Sequence, residues 1–147
     1  MIEIEIESEG WTAALADVGA VVDAAAMAAL GSVQGDVVVL LADDAVVQDL
    51  NARFRDKDKP TNVLSFPAAQ SAFPHLGDVV LGLEYCVAEA EAQGKTLKAH
   101  LSHLVVHGVL HLLGYDHIED EEAEEMEGEE RTILVALGFD DPYAGER

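Results

Sequence analysis

Ile2, Ile4 and Ile6 alternate with Glu3, Glu5 and Glu7, and this period of two predicts a strand with one face buried and one in water. Its glutamates also discourage edge-to-edge pairing with another sheet. From Trp11 to Leu30 the chain is rich in alanine and free of proline, which predicts one helix closed near Gly31 and suited to close packing on a sheet. The pattern then changes to an unbroken apolar run, Val37-Val38-Val39-Leu40-Leu41, within Asp36 to Ala42. Such a run predicts a strand covered by helices on both faces. Asp43-Asp44 offers an N-cap and favourable dipole charge for a helix through about Phe54, and Pro60 prevents it from continuing. Asn62 to Phe66 reads as a short strand stopped by Pro67, Ala68 to Pro74 as a small loop, and Gly77 to Gly82 as a further strand. Helices are predicted at Leu83 to Ala92, ended by Gly94, at about Thr96 to Leu113, and at Glu119 to Leu137. No internal repeat or linker interrupts the series.

The helix from Thr96 carries the chemistry. On a helical wheel His100, His103, His107 and His111 fall in one stripe, and leucines and valines occupy the other faces. A helix apolar nearly all round is a buried helix, where histidines are costly without partners. His107 and His111, four residues apart, lie one above the other, so their imidazoles converge on one ion. Gly114 suits the left-handed conformation that ends a helix and lets the chain fold back to deliver His117. Three neutral imidazoles leave the fourth position of a tetrahedral zinc open, as a catalytic rather than a structural zinc requires. His100 and His103 are assigned to supporting contacts around that site.

The 147 residues suit one domain, half of them apolar, with a core of its own. The chain begins without a basic n-region, and Asp23, Asp36 and the histidines interrupt every candidate membrane span, so neither signal peptide nor membrane is expected. Cys86 is the only cysteine, which excludes an internal disulfide and fits a reducing, cytoplasmic location. The net charge of −21 argues against non-specific nucleic-acid binding. Its distribution changes that picture. Four of the eight basic residues, Arg53, Arg55, Lys57 and Lys59, form one spot, whereas nine acids crowd Glu119 to Glu130 in what reads as a solvated helix face.

The spacing His-x3-His-x5-His coincides with the metzincin protease pattern, in which a Glu after the first His acts as general base. Here that position is Gly108. A peptidase would need a substitute carboxylate; Asp116 and Glu119 are near in sequence. Phosphodiester cleavage asks instead for positive charge on the phosphoryl transition state, which the planar fork of an arginine supplies. The spot at Arg53 to Lys59 is a candidate source.

The segment His107-Gly108-Val109-Leu110-His111-Leu112-Leu113-Gly114-Tyr115-Asp116-His117 resembles the signature of the YbeY endoribonucleases, a bacterial rRNA maturation family. Leu50-Asn51 through Arg55-Asp56-Lys57-Asp58 to Pro60-Thr61-Asn62-Val63-Leu64-Ser65-Phe66-Pro67 resembles the family's second motif. Leu76-Gly77-Asp78 and Leu137-Gly138-Phe139-Asp140-Asp141-Pro142-Tyr143 are also similar to family segments. The resemblance spans roughly Asp43 to Tyr143; the first forty residues share only a strand-helix-strand pattern. It implies one α+β (mixed α/β) domain over residues 1–147, with a mixed sheet of about four strands packed by helices and a zinc-hydrolase-like histidine site on a buried helix. It implies one Zn2+ ion held by His107, His111 and His117, with Arg55 as the essential arginine. The implied activity is single-strand-specific endoribonuclease cleavage in 16S rRNA 3′-end maturation and ribosome quality control. The implied partners are the 3′ region of the 16S precursor and ribosomal small-subunit proteins. Two rivals are a zinc hydrolase of another class and a non-catalytic ribosome assembly factor in which zinc holds the fold.

Overall fold

The computed structural model describes residues 1–116 and 118–143. Among these, four strands form one sheet: β1 (Ile2–Ile6), β2 (Asp36–Ala42), β3 (Val63–Pro67) and β4 (His75–Gly82), in the order β1-β2-β4-β3. β1, β2 and β4 are parallel and β3 runs antiparallel to β4, so the sheet is mixed. β3 ends at Pro67 as the sequence predicts, with the proline itself included as the strand's last residue, paired with Gly77. β3 is an edge strand, where a missing N–H need not break a ladder.

The helices are α1 (Gly10–Ala14), α2 (Val18–Leu30), α3 (Asp44–Arg55), α4 (Leu83–Ala92), α5 (Leu97–Leu112) and α6 (Asp120–Ala136). The single helix expected from Trp11 to Leu30 is two, parted at Leu15, whose backbone is extended. A straight helix over those residues would run about 30 Å, and a seven-residue strand such as β2 spans about 23 Å. The break lets Trp11 turn in at the end of β2, fully buried, with its indole Nε1 donating to Ala42 O at 2.8 Å. Tertiary packing overrides alanine's helix propensity here.

Val37, Val39, Leu41, Val79 and Leu81 point to one side of the sheet, where the main core joins them to α2, α5 and α6. The other side packs on α3 through Val47, with Ala42, Leu64 and Val80 beneath it. Val38 and Leu40 stay half-buried on that side, so β2 is less covered than its apolar run predicts. A single helix is too narrow to roof four strands.

Two local features set up the site. Asp43 caps α3 by accepting from Val46 N at 2.9 Å, and the helix ends at Asp56 with φ 57°, fixing Arg55 as its last residue. α5, capped by Thr96 accepting from Ala99 N, runs against β3 and β4 with Gly108 facing Val79 and Ser65. A Cβ on Gly108 would lie 2.7 Å from Val79 Cγ1, so only glycine lets the helix sit this near the sheet. No helix among the described residues is long and apolar enough to cross a membrane.

Candidate metal and phosphate site

One cleft of about 700 Å³ is lined by Arg55, Ser65, His107, His111, Tyr115 and Asp116, together with neighbouring backbone and apolar groups. Three elements therefore converge: the end of α3, the edge strand β3 and the C-terminal half of α5. Ser65 ties them together. Its carbonyl accepts from Arg55 Nη2 at 2.6 Å, and its Oγ donates to Gly108 O at 3.1 Å. Arg55 is further steadied by the Phe66 ring, 5.6 Å from the guanidinium carbon.

The imidazoles of His107 and His111 face each other with Nε2 atoms 3.1 Å apart. Their other nitrogens decide what that pair is. His111 Nδ1 lies 3.0 Å from Tyr115 O, a carbonyl, so this nitrogen carries a hydrogen and donates. Gly114, at φ 102°, turns the chain so that Tyr115 presents that carbonyl. His107 Nδ1 lies 3.2 Å from Glu130 Oε1 and likewise donates. In their neutral forms both rings then turn Nε2 lone pairs toward one point. Ligand nitrogens on one tetrahedral zinc lie about 3.3 Å apart, and metal-bound histidines usually donate the other N–H to a carboxylate or carbonyl. These two imidazoles suit two ligand positions of a divalent metal.

Glu130 is 1% exposed, although it closes a run of acids that reads as solvated. His103 Nε2 donates to it at 2.7 Å, and the Tyr143 hydroxyl lies 3.0 Å from both of its oxygens. Burial alone would raise its carboxyl; the hydrogen bonds from His103 and His107, with their charge, outweigh burial and hold it at about 2. Sequence reasoning missed this residue. The signal was present, because Met126, Glu130, Ile133, Leu134 and Leu137 share one helical spacing and Glu130 is the polar member of the core stripe. His100 has an analogous support in Glu89, 2.6 Å from its Nε2, and Glu89 also accepts from Asn62 Nδ2 at 2.9 Å. Burial pushes the His100 imidazole below its usual range, against the opposing pull of Glu89.

Of the sequence-predicted residues, the structure thus brings Arg55, His107 and His111 to one cleft. His117 lies outside the described residues. Among the described residues no group of three or more His, Cys, Asp or Glu side chains is placed to hold a metal. Glu119 is exposed and does not line the cleft, whereas Asp116 does. Cys86 is fully buried, and its thiol is pushed up by burial.

The family model described as Endoribonuclease YbeY matches residues 3–138. The chain belongs to the YbeY family. Endoribonuclease YbeY of Paramagnetospirillum magneticum is 53% identical over 155 aligned positions, covering 97% of this chain and 94% of that relative. Endoribonuclease YbeY of Azorhizobium caulinodans is 52% identical, covering 97% and 96% respectively. The solution structure of TM1509 from Thermotoga maritima superposes with a TM-score of 0.64 at 28% identity, covering 93% of this chain and 89% of that one. YbeY similarity therefore includes the first forty residues, for which the sequence motifs carry no family segment. The YbeY fold is the mixed four-stranded sheet with helices described above.

Proposed function

We propose that this chain is a zinc-dependent endoribonuclease specific for single-stranded RNA, acting in the cytoplasm in 16S rRNA 3′-end maturation and ribosome quality control. The observation that carries the reading is the meeting, in one cleft, of paired imidazoles and an anchored arginine. His107 and His111 would hold the ion, with His117 as the third ligand carried over from the family signature. When bound, the ion supplies Lewis acidity toward a phosphoryl oxygen and lowers the pKa of water. The chain's own residues do the rest. Glu130 and Tyr115 O fix the ring orientations of His107 and His111. Arg55, held by Ser65 O and Phe66, offers its remaining N–H groups to phosphate oxygens and to the charge that grows on them in the transition state. The 16S substrate and the ribosomal small-subunit partners rest on the motif resemblance.

The peptidase alternative loses its support at Gly108. No side chain fits there, since even a Cβ would meet Val79 at 2.7 Å. Glu130 cannot stand in for the missing base, because it meets the Nδ1 side of His107, away from the Nε2 atoms.

The test is cleavage of an end-labelled single-stranded RNA spanning the 16S 3′ end, with the His107→Ala protein purified through the same columns. Internal cuts by the wild type alone are expected; equal cutting by both preparations, or none by either, removes the reading. Metal content measured alongside separates the roles. His111→Ala should lose metal and activity together. Arg55→Ala should retain metal and fall in rate by about 10²–10³-fold, the usual cost of losing one transition-state donor. Metal loss in Arg55→Ala would overturn the division of roles.

A further inference from the structure

Phe54, next to last in α3, is 61% exposed. An isolated exposed phenylalanine is ordinary; its neighbours make this one informative. Its ring meets that of Phe66 edge to face, with centroids 5.6 Å apart. The Arg55 guanidinium stands over Phe66 at 5.6 Å, and the Arg53 guanidinium over Phe54 at 5.6 Å. The contacts thus run Arg55–Phe66–Phe54–Arg53, a pair of rings with an arginine at each end, in a strip that begins at the cleft, which Arg55 lines, and passes out over the end of α3. The surrounding segment 53–59 has four basic residues against Asp56 and Asp58, a local +2 on a chain of net −21. Arg53 also pairs with Asp49 at 3.3 Å, but both side chains are exposed and the pair is held only by water-screened attraction.

We propose that Phe54, backed by Phe66, is a stacking platform for an unpaired base of the RNA strand whose phosphate Arg55 holds. It thereby sets the enzyme's preference for single strands. The inference rests on the ribonuclease reading of the cleft and adds a residue to it. Proteins that bind single strands combine positive charge along the backbone with aromatic faces for the bases. In a duplex each base is already stacked on both sides, so an aromatic side chain gains nothing unless the base is free. A protein segment could use an apolar surface as well. Guanidinium groups beside each ring, and continuity with a phosphate-binding cleft, match a polyanion bearing planar groups better.

The experiment compares wild type, Phe54→Ala and Phe54→Trp. Because Phe54 is exposed, neither substitution removes core packing. With single-stranded RNA, Phe54→Ala should raise KM roughly ten-fold, the scale of losing one stacked base, with kcat little changed. Phe54→Trp should restore KM. Its added indole emission should be quenched by a single-stranded 2′-O-methyl oligoribonucleotide and not by the same strand annealed to its complement. A wild-type KM in Phe54→Ala, or emission indifferent to the single strand, overturns the platform while leaving the ribonuclease intact. Wild type that neither binds nor cleaves RNA overturns both. Loss of co-sedimentation with small ribosomal subunits, at unchanged KM on naked RNA, overturns the platform in favour of a protein contact.

Discussion

Glu130 is where the histidine stripe of α5 and the acidic helix α6 are joined. Its carboxylate takes His107 Nδ1–H at 3.2 Å and His103 at 2.7 Å, so it fixes the tautomer that leaves His107 Nε2 as a lone-pair donor. Glu130→Gln should weaken metal binding about 10–100-fold, the usual cost of altering such a supporting contact, as measured by competition with a chromophoric chelator. Its proton linkage gives a second readout in the metal-free protein. The folded pKa of about 2 lies below the ordinary 4.5, so the group's stabilisation is complete above pH 4.5 and lost as pH falls through 2. Urea midpoints of wild type and Glu130→Gln should therefore differ above pH 4.5 and converge toward pH 2; a pH-independent gap would count against the linkage. Residues at this scale were unevenly legible. His107 and His111 announce themselves by spacing. Glu130 is hidden because eight other acids in Glu119 to Glu130 make a solvated face the natural reading, and only the periodicity of its apolar neighbours marks it as internal.

α5 depends on one absent side chain. In an exposed helix, Gly→Ala is stabilising by about 1 kcal/mol. At Gly108 the new Cβ would lie 2.7 Å from Val79 Cγ1 and 3.2 Å from Ser65 Oγ. Val79 is fully buried and β-branched, so it has no free rotamer to move into. Overpacking of this kind costs about 1–3 kcal/mol, which exceeds the propensity gain over most of that range. Gly108→Ala should lower Tm by a few degrees, at about 2–4 °C per kcal/mol for a chain of this size. It should also slow cleavage, because the displaced Ser65 holds Arg55. A higher Tm in calorimetry would show that α5 can retreat from the sheet. The extent of α5 was readable to within a residue at each end, since apolar positions, a Thr cap and a terminal glycine agree. The break between α1 and α2 was not. Nothing in the alanine-rich segment disfavours a helix at Leu15; the interruption comes from where Trp11 must go once β2 is in place.

Across the whole molecule, an acidic body must admit a polyanion. The composition alone states the conflict, and the fold locates its resolution: Arg55 stands at the cleft, and Arg53, Lys57 and Lys59 lie on the adjoining end of α3 and the loop after it. The remaining basic residues, Lys95, Lys98, Arg131 and Arg147, are distant in sequence from this segment, and none of them lines the cleft among the described residues. If the RNA backbone is neutralised only by the 53–59 cluster, at most four phosphates release counterions on binding. For a single strand the slope of log K against log salt is about −0.7 per phosphate, so the limit is about −2.8. Repulsion from the acidic body weakens as salt rises, because the screening length contracts to about 8 Å near physiological ionic strength, and this makes the slope shallower still. Binding of a single-stranded 2′-O-methyl oligoribonucleotide, titrated across salt by fluorescence anisotropy, should therefore give a slope between zero and about −3. Lys57→Gln should weaken binding at low salt and flatten the slope by about 0.7. A slope steeper than about −3 would mean that phosphates are held outside residues 53–59, and the path of the RNA away from the cleft would have to be redrawn.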